Sequence, residues 1–477
     1  MKIILFYLSL QLLNPLMAMK ILFLNLPSEI LVVRRYMCSS FAETFLFPPH
    51  DLVALAGAAR SIPGVQVFFL DAVAERKNLH AVIHQIQSCG PDIVVSIISF
   101  ELYEQDVLTV KKLKERFPEK TFVLFGHYPT HFPEDTLHYS GADMIMLGEP
   151  DEILLNVLSR LQKGEHPDNV DGVATRKELN MIRVNGNKMR VPHPEALPLP
   201  AYDLLVSELY SEPFMPRPFG LIQTARGCPY QCNYCVHSFG TKLTALSPEK
   251  VFEHILLLKR LHGIRALRFI DDTFTVNPAR VIEICRLIIE NKINIQWTCL
   301  ARADTLNEEM LGWMKRAGCV RLNIGMESGS QHILDFLNKG IRVEKALDQL
   351  KNVRKTGMEM MGFFLTGVPG ETEKDIQESV DFAHDAGFHY VVVDTLKVYP
   401  GTPLFNKVSE LVDFSLLPYR NEFKDPAFVR MARNHRSLFY RKFYFSLRYL
   451  HRTPIKNILR PRQIKHGIQY VKSKVSA

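Results

Sequence analysis

The sequence predicts an α/β protein: two parallel-sheet domains in tandem, followed by a helical tail. Three observations carry this. Short, almost continuously apolar runs alternate with amphipathic helical stretches, as strands covered on both faces require. Ser-Pro, Asn-Pro and isolated Gly punctuate the alternation where helices should start and stop. A stretch rich in Pro and Gly, residues 166–215, separates two blocks of the pattern. The 477 residues, 47% hydrophobic and 23% charged, suffice for two or three ordinary globular domains.

The first block, residues 19–165, offers strands at Ile21–Leu24, Val65–Leu70, Ile93–Ile97, Phe122–Phe125 and Met144–Leu147. Helical stretches fall between them at Leu52–Ser61, Leu79–Ser88, Tyr103–Phe117 and Glu134–Tyr139, with a last one from Asp151. This alternation predicts a doubly wound, flavodoxin- or Rossmann-like parallel sheet. Ligands of such sheets bind beyond the carboxyl ends of the strands. Residues 166–215 read as a linker, with Val173–Thr175 and Met181–Val184 as a small hairpin.

The second block, residues 216–405, repeats one unit six times. Strand Leu221–Thr224 comes first. A helix capped by Ser247-Pro248 and stopped at Gly263 follows. Strand Ala266–Ile270 precedes a helix opened by Asn277-Pro278, and strand Ile295–Leu300 a helix over 307–317. Strand Arg321–Ile324 leads to helices 330–339 and 343–356, strand Met360–Thr366 to helix Glu373–Ala386, and strand Tyr390–Val398 closes the set. Six strand–helix units predict a partial (β/α)6 barrel like a TIM barrel, with chemistry at the carboxyl ends of its strands.

The most informative stretch follows the first of these strands. In Arg226-Gly227-Cys228-Pro229-Tyr230-Gln231-Cys232-Asn233-Tyr234-Cys235, three of the chain's eight cysteines fall at C-x3-C-x2-C spacing. Thiolates so close can reach one metal centre from a single loop. Three of them suit a [4Fe–4S] cluster that keeps one iron without a protein ligand, and an open coordination position marks a catalytic site. The bland alternatives are three core cysteines, or a zinc loop short of its fourth ligand, with His237 the nearest candidate.

This stretch resembles the radical S-adenosylmethionine (SAM) enzymes, whose pattern is C-x3-C-x-aromatic-C. Tyr234 supplies the aromatic residue, and Thr224-Ala225-Arg226-Gly227-Cys228-Pro229 is also similar to that family. The resemblance implies that Cys228, Cys232 and Cys235 hold the cluster. It also implies that the open iron chelates SAM and that an electron from the cluster releases a 5′-deoxyadenosyl radical.

The resemblance then assigns strand-end residues. Asp272, in Asp271-Asp272-Thr273, stands where many members carry a glycine-rich contact to the methionine ammonium. Arg302 has the placement of a carboxylate contact. Glu327 and Ser328, in Gly325-Met326-Glu327-Ser328-Gly329-Ser330, resemble the ribose and carboxylate contact. Gly367 and Pro369 lie in the element beside adenine. Taken singly, Asp271 reads as well as a helix cap, Glu327 as a surface charge and Arg302 as half of an ion pair. Cys285, Cys299 and Cys319 read as core residues.

The first block resembles the cobalamin-binding domain that precedes many radical SAM cores. Pro48-Pro49, Asp71-Ala72, Gly126 with Pro129-Thr130, and Gly148-Glu149 carry that likeness. The D-x-H-x-x-G motif that supplies a histidine below cobalt is absent, and the spacing of His127 and His131 does not replace it. The alternative is a flavodoxin-like domain kept for packing or another ligand.

Residues 1–18 read as an apolar leader or as sequence ahead of a true start at Met19. The eight cysteines form no disulfide framework, so a reducing cytoplasm is expected. The net charge of +8 is a property of the tail: residues 430–477 hold 13 of the 58 Lys and Arg and no Asp or Glu. There, Phe439-Tyr440-Arg441-Lys442-Phe443-Tyr444-Phe445 interleaves aromatics with cations. Residues 406–477 therefore read as a helical cap over the barrel, as a peripheral membrane contact, or less readily as a nucleic-acid contact.

The expectation is a cobalamin-dependent radical SAM enzyme. Its radical abstracts hydrogen from an unactivated carbon, which then receives a methyl group from methylcobalamin. The substrate is a small molecule or lipid, and a flavodoxin- or ferredoxin-type donor supplies electrons. The rivals are a radical cyclase or rearrangement enzyme without methyl transfer, and a non-catalytic iron–sulfur or corrinoid carrier.

Overall fold

The computed structural model describes residues 18–36, 39–41, 45–176, 182–186 and 193–452. The leader, Cys38, Met181 and the last stretch of the basic tail lie outside the described residues. The chain divides into two compact units, one drawn from residues 1–40, 49–191 and 196–205, the other from 41–48, 192–195 and 206–477.

The first unit is a mixed α/β structure. The elements of its main sheet and the helices around it, in chain order, are β1 (Met19–Asn25), α1 (His50–Arg60), β2 (Val65–Asp71), α2 (Leu79–Cys89), β3 (Ile93–Ile97), α3 (Tyr103–Arg116), β4 (Thr121–Phe125), α4 (His127–His131), α5 (Pro133–Ser140), β5 (Met144–Met146), α6 (Pro150–Gln162), β6 (Val173–Arg176) and β7 (Ile182–Asn185). The sheet order is β2-β1-β3-β4-β5-β6-β7. The first five strands pair in parallel, and β6 and β7 are antiparallel additions. The hairpin expected in the linker therefore exists, but it extends this sheet. The chain order reverses direction at β1, between β2 and β3. That is where an open parallel sheet leaves a crevice at its carboxyl edge.

The second unit carries β8 (Phe219–Ile222), β9 (Ala225–Arg226), β10 (Thr244–Ala245), α7 (Pro248–His262), β11 (Ala266–Phe269), α8 (Pro278–Glu290), β12 (Gln296–Ala301), α9 (Glu308–Arg316), β13 (Cys319–Glu327), α10 (Gln331–Phe336), α11 (Val343–Lys355), β14 (Glu359–Thr366), α12 (Glu373–Ala386) and β15 (Tyr390–Thr395). Six strands form one parallel sheet in sequence order, β8-β11-β12-β13-β14-β15. Local chemistry sets the helix ends. Ser247 accepts from the Lys250 amide and Asn277 from the Arg280 amide, each followed by Pro at the first helical position. Gly263 closes α7 in the left-handed region at φ 59°. The helix expected over 330–339 stops at Phe336, where Asn338 turns the chain at φ 49°. Strand β8 begins and ends two residues earlier than expected, so Thr224 belongs to the loop and not to the strand.

The tail is not a solvent-facing helix. After α13 (Pro403–Val408) and the hairpin β16–β17 (Val412–Leu416, Tyr419–Phe423), helix α14 (Pro426–Tyr444) buries Phe439, Tyr440 and Phe443. The Tyr440 hydroxyl accepts from the Val393 amide at 2.8 Å and the Tyr444 hydroxyl from the Val391 amide at 3.1 Å. Both amides belong to β15, the edge strand. The helix thus satisfies donors that an open edge would leave unpaired. Arg441 and Lys442 point to solvent. Of the aromatics that also fitted a membrane face, Phe439, Tyr440 and Phe443 are core residues while Phe445 is exposed; a buried stripe and a lipid-facing stripe share one helical period. Among the described residues, no helix is long and apolar enough to cross a membrane.

His254, on α7, is buried, and its desolvation lowers its pKa from 6.5 to about 4. Between those values the unfolded chain binds more protons than the fold. The stability this neutral imidazole preserves is complete above pH 6.5 and is lost as pH falls toward 4, by about 3 kcal/mol. Urea unfolding of the wild type and His254→Leu at pH 7 and pH 4.5 should show a smaller acid loss in the variant.

Candidate active site

The cysteine loop is held by its backbone before any metal is considered. Gly227 sits at φ 81°, and a Cβ there would meet the Lys242 carbonyl oxygen at 2.3 Å. Only glycine fits this turn. The Cys228 amide donates to the Gly240 carbonyl at 3.2 Å and the Cys235 amide to the Cys232 carbonyl at 3.3 Å. Asp271, at the end of β11, accepts from the Thr224 amide at 2.5 Å, from the Ala225 amide at 3.0 Å and from the Thr224 hydroxyl. It therefore anchors the loop's entry and caps no helix. Gly227→Ala should leave the fold intact but empty the site, with iron and sulfide per chain falling to the level of a cysteine-deleted variant after anaerobic reconstitution.

Cys232 is buried, and Cys228 and Cys235 are half-buried. Burial raises the Cys228 and Cys235 thiol pKa values, and Asp272 and the neighbouring thiols add to the rise. Three sulfurs close enough to feel one another's charge fit a shared centre. Among the described residues no three His, Cys, Asp or Glu side chains converge on a single-ion site. A four-iron cube asks for another geometry, one thiolate per iron on separate corners. The His237 ring lies 2.8 Å from the Tyr230 carbonyl through Nε2 and so braces the loop.

The strand-end residues gather around this loop, though not all as expected. Arg302 follows β12 and is buried. Its Nε and Nη2 pair with Asp304 at 3.0 and 2.9 Å, and its guanidinium carbon lies 3.6 Å from the Tyr230 ring centroid. Nη1 lies 3.7 Å from Cys232 Sγ. The fork expected to meet a carboxylate is therefore occupied by Asp304, two residues along, and clamps the cluster loop. Ser328 is likewise engaged: its hydroxyl lies 3.0 Å from that of Ser379 on α12 and accepts from the Ser330 amide. Glu327 is no surface charge. It is buried, and a register shift after Gly325 places it at φ 70°, rare for a residue with a Cβ. Its Oε1 accepts from Lys339 Nζ at 2.8 Å.

Sequence reasoning missed four residues here. Lys339 lies 12 positions beyond Glu327 with no periodic signal, and Thr273 Oγ1 sits 3.9 Å from Cys228 Sγ. Glu371 accepts from the Gly367 amide at 2.8 Å and pairs with His435 of α14 at 2.8 Å. The turn carrying Gly367 and Pro369 is thus fixed by the tail helix. Cys285, Cys299 and Cys319 are buried in the core, as expected.

In the first unit, Thr130 draws two expected residues together. Its hydroxyl donates to the Gly126 carbonyl at 2.7 Å and accepts from the Gly148 amide at 3.2 Å, and the Tyr36 hydroxyl joins it at 2.8 Å. Glu149 beside them is buried. Beneath lies a polar network of Arg34 with Asp106 at 2.8 Å and Asn25 with Asp71 at 2.8 Å.

Residues 222–383 match the model of the Radical SAM superfamily. An uncharacterized methyltransferase of Pyrococcus horikoshii is 32% identical over 363 residues, covering 75% of this chain and 78% of that protein. The anaerobic magnesium-protoporphyrin IX monomethyl ester cyclase of Rubrivivax gelatinosus is 24% identical, over 77% of this chain and 67% of that one. Among solved structures, the cobalamin-dependent SAM radical enzyme OxsB, with aqua-cobalamin bound, shares the fold at a TM-score of 0.74 and 17% identity, covering 97% of this chain and 72% of its own. A cysteine loop braced by the ends of successive parallel strands, together with these likenesses, places the chain among the enzymes of the radical SAM superfamily.

Proposed function

We propose that this enzyme is a cobalamin-dependent radical SAM methyltransferase acting on a carbon of a small molecule. The observation that carries the reading is the convergence of Asp272, Arg302 and Glu327, from the ends of three neighbouring strands, on a loop with three cysteines. A carrier has no need of such a cradle. The six-stranded sheet is read as a partial (β/α)6 barrel and the first unit as a cobalamin-binding domain.

Cys228, Cys232 and Cys235 would hold a [4Fe–4S] cluster, which when bound supplies the electron for reductive cleavage of SAM. Asp272, whose charge bears on the Cys228 and Cys235 thiols, would accept hydrogen bonds from the SAM ammonium. Glu327 would accept from ribose hydroxyls. Arg302 braces Cys232 and Tyr230, and the Gly367–Pro369 turn would lie beside adenine. In the first unit, Gly126 and Gly148 offer backbone at the carboxyl edge, which suits a broad planar ligand such as a corrinoid. Cobalamin, when bound, supplies the methyl group. His127 stacks on Phe100 at 4.8 Å between ring centroids, and no histidine from the absent D-x-H-x-x-G motif is expected below cobalt. An external flavodoxin- or ferredoxin-type reductant completes the set.

Methyl transfer is favoured because the relative at 32% identity is named a methyltransferase. The likeness to the Rubrivivax cyclase supports a second reading, radical ring closure without methyl transfer. Anaerobic reconstitution tests the site. The reading expects four irons per chain, an electron paramagnetic resonance signal that changes on adding SAM, and retention of cobalamin through gel filtration. A protein that binds cobalamin but assembles no SAM-responsive cluster would overturn it.

A further inference from the structure

The turn after α10 is bonded to the cysteine loop along its length. The Leu337 carbonyl accepts from the Asn233 amide at 3.1 Å and the Phe336 carbonyl from Asn233 Nδ2 at 2.6 Å. Asn338 Nδ2 donates to the Gln231 carbonyl at 2.6 Å. The Lys339 carbonyl accepts from Arg302 Nη2 at 2.9 Å, and Arg302 in turn reaches Cys232. Residues 231–233, around the second cysteine, are thus splinted by residues 336–338.

Lys339 adds a charge to this splint. Its side chain is 7% exposed. Nζ donates to Glu327 Oε1 at 2.8 Å and lies 3.2 Å from the hydroxyl of Tyr234, the residue before Cys235. A buried ammonium is retained only where partners offset its desolvation, and here one partner is the carboxylate proposed to meet the ribose and the other is a residue of the cysteine loop. Glu327 carries the strain of a positive φ, which the surrounding structure must hold in place.

We propose that Lys339 is a positioning residue of the reaction: its ammonium locks the Glu327 carboxylate to Tyr234 of the cysteine loop and sets a fixed positive charge beside the cluster. This rests on the reading that Cys228, Cys232 and Cys235 hold a [4Fe–4S] cluster. Reduction adds one electron, and so one negative charge, to the cluster. A buried cation nearby favours the reduced form and raises the reduction potential.

The test is redox titration of the reconstituted full chain, followed by electron paramagnetic resonance, for the wild type, Lys339→Gln, Lys339→Arg and Asn338→Ala. Glutamine keeps hydrogen-bonding capacity toward Glu327 and Tyr234 but not the charge. Arginine keeps the charge. The Asn338 variant loosens the splint without altering charge. The expected result is a potential shifted to more negative values in Lys339→Gln alone. An unshifted potential in Lys339→Gln with full iron content would overturn the proposal, as would an equal shift in Asn338→Ala. If Lys339→Gln assembles no cluster, Lys339→Arg and Asn338→Ala decide: a wild-type potential in both supports the charge assignment, and a shift in Asn338→Ala overturns it. Absence of any cluster in the wild type would instead overturn the underlying reading.

Discussion

Cys232→Ala is expected to abolish cluster assembly and SAM cleavage together. Cys232 is the central thiol of the loop and is buried. Its sulfur is the one that Arg302 approaches, and Arg302 is itself fixed by Asp304 and Tyr230. Two remaining thiolates cannot hold a cube that already leaves one iron without a protein ligand. Iron and sulfide per chain should fall to background, and no 5′-deoxyadenosine should form. Cys285→Ala is the control. It deletes a buried core thiol on α8, so it should lower stability slightly and leave iron content unchanged. Full cluster content and undiminished cleavage in Cys232→Ala would end the radical reading.

Glu212→Ala should be the most destabilising single change in the second unit. The Glu212 side chain is 1% exposed. Its Oε1 accepts from Arg268 on β11 at 2.9 Å and from Arg321 on β13 at 2.5 Å, while Oε2 accepts from Thr298 on β12 at 3.0 Å. One carboxylate thus ties three neighbouring strands, and the Arg321 side chain is also only 1% exposed. Removing it takes the carboxylate from the buried Arg321 and from Arg268, and breaking such a buried pair costs about 3–5 kcal/mol. Glu212→Gln keeps acceptors for part of the set and should cost less. Urea unfolding monitored by Trp297 fluorescence reads both. A loss below about 1 kcal/mol in the alanine variant would show that the pair contributes as little as an exposed one.

The sequence carried whatever is local. Ser247-Pro248 and Asn277-Pro278 announced α7 and α8 because a cap needs only four consecutive residues. The alternation of apolar runs and helices showed both parallel sheets for the same reason. Three cysteines in one loop were visible because a loop is contiguous. Long-range pairing left no such mark. The hairpin at β6–β7 could be seen as a hairpin, but not that it extends the first sheet. Lys339 and Glu212 reach their partners across chain separations that have no period, so neither stood out among the charged residues. Arg302 was found by its place after β12, yet Asp304 beside it was overlooked. An i, i+2 pair in a turn is an ordinary ion pair until burial shows that it braces the site. The tail was legible only as a choice between a packed cap and a membrane face, because both need the same aromatic stripe; the packing of Tyr440 and Tyr444 on β15 favours the packed helix.

The most direct test of the account is anaerobic incubation of the reconstituted, cobalamin-loaded protein with SAM and reductant, followed by mass spectrometry of the nucleoside products. The account predicts 5′-deoxyadenosine from radical cleavage and S-adenosylhomocysteine from a second SAM that would restore the methyl group of cobalamin, both from the wild type, and no 5′-deoxyadenosine from Cys232→Ala. Deoxyadenosine alone would move the assignment to the cyclase reading. An intact cluster that binds SAM yet yields neither nucleoside would contradict the account.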